Sequence, residues 1–429
     1  MKYTSLWLDT APAFTGAQSG PVSGRFDVAV IGAGFTGLSA ARKLARAGLR
    51  VAVLEAANLG AGASGRNGGH LNNGIAHGYG AAKAQLGADR ARTLYQAFDR
   101  SIDMIEEVIA EDGIDCDFRR AGKLKLASKS SHVAGLRANQ ELIASEVDPE
   151  TRWLDRADLR EEIGAEAFHG AALFEKSAMM HMGRYLTGLA GAATKHGAAI
   201  WEDAPVTGRR REGGGWTLAT PKGELRADRV IAATGAYSAQ LPGAPLGYFR
   251  RRIISMASFI VATRPLSEAE ASAIMPGNRT CVTSLNIGNY FRLSPDNRLI
   301  FGGRARFSAR SDQRSDARSG EILRGAMTDI FPQLAQTEID YCWGGLVDLT
   351  KDRFPRAGEA DDMIYAMGYS GHGAQMSTLL GQTLADLAMG KTDTNPLAGM
   401  DWPAVPALNG RPWFLPLAGL WFKLKDRLS

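Results

Sequence analysis

Cysteine is almost absent. Cys116, Cys281 and Cys342 are the only three in 429 residues, and no C-x-x-C pair occurs. A dithiol reductase mechanism is thereby excluded, and a reducing compartment is favoured. Long apolar runs are missing too: none reaches the roughly 20 residues a membrane-spanning helix needs. Residues 1–24 lack the basic start and apolar stretch of a secretion signal, so a soluble cytoplasmic protein is expected. No zinc spacing and no RNA-binding motif occurs, and no metal site is expected. Neither sign of charge dominates, since 50 Lys and Arg face 45 Asp and Glu. Arg209-Arg210-Arg211 and Arg250-Arg251-Arg252 are short clusters that suit solvated turns or anion contacts, so no nucleic-acid partner is expected.

What the chain does have is glycine, 50 residues of it, placed with a pattern. The stretch Asp27 to Glu55 reads DVAVIGAGFTGLSAARKLARAGLRVAVLE. A β-branched run ends at Gly32, and Gly32, Gly34 and Gly37 stand in G-x-G-x-x-G spacing. Leu38, Ala41, Leu44 and Ala45 then share one helical face, Gly48 ends the helix, and Val51 to Leu54 form a second strand. This is a βαβ unit carrying the dinucleotide fingerprint in its required context. Gly32 permits the turn, Gly34 lets a pyrophosphate approach the backbone, and Gly37 lets the helix pack on the strand. The helix N-terminus offers free N–H groups to the phosphates. Glu55 is placed to accept hydrogen bonds from an adenosine ribose and would repel a 2′-phosphate.

The next stretch, AANLGAGASGRNGGHLNNG, is too rich in Gly and Asn for a packed helix or strand. In a nicotinamide domain, strand–helix alternation would continue here. A long glycine loop fits a larger cofactor, with a flavin beyond the pyrophosphate. Further on, Arg229 to Gly235 reads as a buried strand ending in Thr-Gly. YFRLSPDNRLIFGG, from Tyr290, reads as a hairpin. Met363–Met367, the turn GYSGHG and the helix Ala374–Met389 repeat the anion-friendly order of strand, glycine turn, helix. Trp413, Leu417, Leu420, Trp421, Leu424 and Leu428 share one helical face in the tail, with Lys423, Lys425 and Arg427 standing off it. Packing of that face on the protein's own body is expected, with a membrane surface or a partner as alternatives.

The expected architecture is α/β: a discontinuous Rossmann-like FAD-binding domain with an inserted α+β substrate domain on a mostly antiparallel sheet. Residues 1–24 form an N-terminal arm. Segments 25–86, 171–245 and 340–392 form the cofactor domain, 87–170 and 246–339 the substrate domain, and 393–429 the tail with its amphipathic helix.

VIGAGFTGLSAA at 30–41, GASGRNGG at 62–69, AATGAYS at 232–238 and GYSGHG at 368–373 together resemble the D-amino-acid oxidase-like superfamily of FAD enzymes. That group contains glycine oxidase and monomeric sarcosine oxidase. Within it the chain is similar to the bacterial γ-glutamylputrescine oxidoreductase type, over essentially its whole length. The resemblance implies FAD against Gly32, Gly34, Phe35, Thr36, Gly37, Glu55 and Ala56, and against Ser64, Arg66, Asn67, Gly68 and Gly69. It continues along the backbone near Val206, at Thr234 and Gly235, and at Gly371, His372, Gly373, Ala374 and Gln375. It implies oxidation of a C–N bond in a small-molecule amine or amino-acid derivative, a γ-glutamylated amine among them. Hydride would pass to flavin N5, the imine would hydrolyse, and electrons would go to O2 or another acceptor. Two departures matter. Gly345 stands where sarcosine oxidase has its flavin-linking Cys, so the FAD is expected to be noncovalent. Gln375 stands where those relatives place a Lys for the substrate carboxylate, which favours a neutral or longer amine.

Four residues are candidates for the reacting end. His372 is placed beside the flavin ring or else only shapes its turn. His70 touches flavin or substrate, or makes a structural hydrogen bond. Tyr290 and Arg292 lie on a strand of the substrate domain, and alternation alone does not say which faces the cavity. Arg66 suits flavin, a substrate anion or a phosphate equally. Trp343 suits an amine wall or the core. Two rival functions stay open: a membrane-associated FAD dehydrogenase feeding quinone, suggested by the aromatic tail, and a non-catalytic flavin-binding sensor, suggested by the lack of an obvious acid–base pair.

Overall fold

A computed structural model describes residues 1–76, 78–238, 247–308 and 317–428. Two eight-stranded sheets organise them. In the first, parallel strands stand in the order Met363–Met367, Gly223–Ala232, Arg25–Ile31, Val51–Leu54 and Ala199–Trp201. Arg356–Ala360 adds an antiparallel edge, and Gly208–Glu212 with Gly215–Thr220 extends Gly223–Ala232 as an antiparallel flap. Parallel strands are covered on both faces and so read as unbroken apolar runs. Val51–Leu54 is such a run and is buried throughout. Helices Phe35–Arg46 and Gly373–Ala388 pack closely against each other, since a Cβ on Gly381 would clash with the Thr36 carbonyl oxygen.

The second sheet runs Ile339–Leu349, Ile254–Thr263, Leu299–Arg306, Tyr290–Leu293, Thr280–Thr283, Lys123–Leu126, Ala171–Phe174 and Arg152–Leu154. It is antiparallel except between Thr280–Thr283 and Lys123–Leu126. Side chains alternate across it. Leu124, Leu126, Phe291 and Phe259 enter one apolar core with Leu323 and Met327 of helix Ala317–Ile330. Lys123, Lys125, Tyr290 and Ser258 face the other way, into a cavity beneath the first sheet's loops.

Some segments lie elsewhere than their sequence suggests. Ala171–Phe174 and Ile339–Leu349 group with the cofactor domain from sequence; in the structure both are strands of the second sheet. A buried strand has the same apolar signature in either sheet, so periodicity does not tell them apart. Helix Ala88–Asp112 groups with the substrate domain from sequence. It shares an apolar cluster with the fingerprint helix through Leu94, Phe98, Ile102 and Ile105. The expected boundary at 245/246 lies outside the described residues.

The tail helix, Leu415–Leu428, docks by a different stripe from the one expected. Leu415 and Gly419 are buried, and Gly419 comes so close to Phe307 that a Cβ would meet its ring at 2.6 Å. The wide face of Leu417, Leu420, Trp421 and Leu424 points outward, with each residue about half to two-thirds exposed. The narrow glycine stripe allows the closer approach, so it takes the contact. No helix among the described residues is long and apolar enough to cross a membrane.

Candidate active site

Strand Arg25–Ile31 ends in Gly32, whose φ of +103° favours glycine. A Cβ on Gly37 would lie 1.9 Å from the Gly32 carbonyl oxygen, so only glycine permits this strand–helix approach. Helix Phe35–Arg46 has no side-chain cap at Gly34, and the Phe35 N–H donates to Ser64 Oγ at 3.0 Å. First-turn N–H groups have no intrahelical acceptor and carry the positive end of the dipole. Glu55 closes the second strand, accepting the Ala33 N–H at 2.7 Å and the Ala57 N–H at 3.2 Å. Burial raises its carboxyl above the usual range, and those N–H groups oppose the shift.

The second glycine turn follows Met363–Met367. Asp348, on the second sheet, accepts the Gly368 N–H at 2.6 Å, and its carbonyl accepts the Ser370 N–H at 2.9 Å. Burial pushes Asp348 up to about 6. Helix Gly373–Ala388 starts directly after, again without a side-chain cap.

Between the two turns lies one continuous cavity of about 960 Å³, near the upper end of the roughly 300–1,000 Å³ of small-molecule sites. Its third wall is the glycine loop. Asn67 braces that loop from within, accepting the Gly69 N–H at 2.9 Å and donating to the Ser64 carbonyl at 2.9 Å. Two indoles brace it from outside: Trp7 Nε1 donates to the Asn67 carbonyl at 2.6 Å and Trp343 Nε1 to the Arg66 carbonyl at 3.0 Å. Two uncapped helix starts, a buried terminal acid and a glycine-rich loop around one large cavity fit a phosphate-linked flavin dinucleotide.

The family model described as FAD dependent oxidoreductase, DAO, matches residues 27–387. The chain belongs to the DAO family of FAD-dependent oxidoreductases. Among the DAO family's curated members, γ-glutamylputrescine oxidoreductase of Escherichia coli K12 is 33% identical, over 94% of this chain and 93% of its own length. A probable oxidoreductase, OrdL, of Haemophilus influenzae is 36% identical, over 90% of this chain and 87% of its own. The crystal structure of glycine oxidase from Geobacillus kaustophilus superposes with a TM-score of 0.74 at 25% identity, covering 86% of this chain and 95% of that one.

Most residues expected to hold the DAO-family cofactor line this one cavity: Gly32, Gly34, Phe35, Thr36, Glu55, Ala56, Ser64, Arg66, Asn67, Gly68, Val206, Thr234, Gly235, Gly371, His372, Gly373 and Ala374. Gly37 and Gly69 lie behind it, as packing contacts. Gln375 is turned away, its Nε2 donating to the Asn72 carbonyl at 2.6 Å, so its amide does not face the cavity. Trp343 is core, wholly buried.

The four candidates for the reacting end separate. Tyr290 lines the cavity, 3.4 Å from Ser258 Oγ, with its phenol pushed up to about 12 by burial. His372 lines it too. Burial and then Lys123 hold its imidazole down to about 4, so the ring is neutral at pH 7, and among the described residues its buried Nδ1 has no hydrogen-bond partner. His70 lines the cavity, but both nitrogens face main-chain carbonyls, Gly68 at 3.0 Å and Phe291 at 3.3 Å. A neutral ring donates to only one of these two carbonyls at a time. Arg292 is behind the wall: Nε donates to the Gly68 carbonyl at 3.2 Å and a terminal nitrogen to the Met180 carbonyl at 2.8 Å. Burial lowers it to about 9. Alternation from Tyr290 puts Arg292 on the same face, and the folded loop 68–69 comes between it and the cavity.

Two lysines escape a motif search. Lys123 and Lys125 line the cavity from the second sheet. The signal was the KLKL alternation itself, which places both on one face of a strand.

Proposed function

We propose that the chain oxidises a C–N bond of an amine or amino-acid derivative, a γ-glutamylated amine among the candidates because the name of one 33% identical relative points to it. The cavity supports this reading: it passes without a break from the Glu55 end to a chamber walled by Tyr290, Ser258, Ile260, Val282 and His372. Bound FAD supplies the hydride acceptor. The apolar wall of Ile260 and Val282 excludes water, Tyr290 orients a substrate polar group, and neutral His372 leaves the amine's neighbourhood without added positive charge from the imidazole. FAD is held noncovalently. No cysteine lines the cavity among the described residues, and Cys342 Sγ lies 3.7 Å from where a Gly320 Cβ would sit, on the other side of its sheet from Gly345 and Arg66. The acceptor after flavin is O2 or another oxidant, and the three buried, unbridged cysteines suit a cytoplasmic location.

Anaerobic mixing with glycine, sarcosine, putrescine and a γ-glutamylated diamine tests the activity. Bleaching of the bound flavin by at least one of them is expected. A flavin that none of them reduces would favour a sensor.

The tail favours a second reading, of place. Its outward stripe of Leu417, Leu420, Trp421 and Leu424 is accompanied by exposed Lys423, Lys425 and Arg427. Asp426 is turned inward, accepting the Asn286 and Ile287 N–H groups at 2.9 Å, so the charge left outside is positive. An apolar face edged by cations suits the surface of an anionic membrane, with quinone as acceptor. Co-sedimentation with phosphatidylglycerol vesicles, lost in Trp421→Glu, is expected on this reading; equal recovery in the supernatant for both proteins contradicts it.

A further inference from the structure

The mechanism leaves two buried cations unused. Lys123 and Lys125 stand two residues apart on the strand Lys123–Leu126, both facing the cavity, while Leu124 and Leu126 face the core. Lys123 Nζ donates to the Asn73 carbonyl at 2.7 Å and lies 4.1 Å from the Phe174 ring centre. Lys125 Nζ donates to the Thr283 carbonyl at 2.9 Å. Each ammonium has three protons to donate, and among the described residues neither forms an ion pair.

The nearby acids, Asp99 and Asp148, favour the charged form of Lys123 through space but make their ion pairs with Lys176, at 3.3 and 3.1 Å. Asp148 also accepts from Asn73 and from Tyr95. The two carboxylates that line the cavity are engaged at other places, Glu55 with the Ala33 N–H and Asp348 with the Gly368 N–H. The Arg353 and His372 neighbours add no negative charge. Burial, and then the Lys125 cation, lower Lys123 to about 7 against the opposing pull of Asp99 and Asp148, and burial, and then Arg353, lower Lys125 to about 8. Asp99 and Asp148 act on Lys123 through space but form no ion pair with it among the described residues, so an entering anion would still offset part of the cost of burying the two ammonium groups.

Gln375, at the position where sarcosine-oxidase relatives carry a Lys, donates to the Asn72 carbonyl. Lys123 and Lys125 place positive charge on the wall that the second sheet gives this chamber. A free diamine would bring a cation toward two others; a molecule with an acidic end would not.

We propose that Lys123 and Lys125 form an anion subsite in the wall of the cavity and hold a carboxylate that the amine substrate carries away from the oxidised C–N bond. The assignment rests on the amine-oxidation reading and narrows it: the substrate class is an amine with a remote carboxylate, such as an ω-amino acid or an N-acylated diamine with an acidic acyl group.

The test is a binding titration on the FAD-loaded protein. The probes are 4-methylpentanoate and its neutral amide, neither of which can be oxidised as an amine. Binding is read from the difference spectrum of the flavin and, independently, from calorimetry. At pH 7 the acid is expected to bind at least tenfold more tightly than the amide. Lys123→Met and Lys125→Met each shrink that preference, the double variant abolishes it, and Lys125→Arg retains most of it. Equal affinities for acid and amide in the unaltered protein would overturn the subsite, and that comparison needs no variant to fold. So would a preference that survives in the double variant. Failure of the amine reading looks different: no amine bleaches the flavin, while the titration stays readable.

Discussion

The hydroxyl of Thr36 lies 2.6 Å from the phenol oxygen of Tyr369. One opens the fingerprint helix and the other sits in the last glycine turn, 333 residues on. This bond ties together the two anion-friendly turns that share the cavity. Both groups are buried, so the bond is worth about 0.5–1.5 kcal/mol net. Tyr369→Phe and Thr36→Val are each expected to weaken FAD binding by roughly two- to tenfold. The double variant should do little more than either alone, because both remove one interaction. Equilibrium dialysis of released FAD measures this; fully additive losses would contradict a direct bond.

The N-terminal arm carries a second prediction. Trp7 is wholly buried and its indole N–H takes the Asn67 carbonyl, while Ser5 Oγ donates to the Gly65 carbonyl at 2.6 Å. Trp7→Phe keeps most of the packing and strands one buried acceptor, at about 1–3 kcal/mol. The flavin is expected to dissociate faster and the melting temperature to drop. Trp7→Ala adds a cavity and costs about 3–5 kcal/mol in stability. Unchanged FAD release in Trp7→Phe would show that the arm does not support the loop.

Asp348 predicts a pH dependence. Burial raises its folded pKa to about 6, above the roughly 3.9 of an unfolded Asp. The folded state therefore binds this proton more tightly. The stability it contributes is fully present below about pH 4 and is lost as pH rises through 6. Asp348→Asn keeps an acceptor for the Gly368 N–H and removes the titration. Relative to the unaltered protein, its melting temperature should improve between pH 4.5 and pH 7.5, by the equivalent of about 1–3 kcal/mol. A constant gap across that range would contradict the assignment.

Much of this site was legible because phosphate binding is done by backbone. Gly32, Gly34, Gly37 and the turn at 368–373 are read from spacing, and the structure sets both turns against one cavity. Side chains that act through tertiary contact were not legible. Trp7 reads as an aromatic through which the arm packs, and nothing local marks it as a brace for Asn67. Arg292 shares a strand face with Tyr290, yet the folded loop at 68–69 intervenes. His70 is turned toward the Gly68 and Phe291 carbonyls and donates to one of them, a tertiary placement that no local pattern encodes. The tail misled for a physical reason: its widest apolar stripe is not its docked one, because Gly419 allows closer contact than any leucine.

The central claim is that two separate turns clasp one noncovalent FAD. Acid precipitation of the purified yellow protein, followed by absorption spectra and FAD assay of both fractions, tests it most directly. One FAD per chain, all in the supernatant, is the result this account predicts. Colour retained in the pellet would contradict noncovalent binding, and a chain that cannot be loaded with flavin at all would contradict the clasp itself.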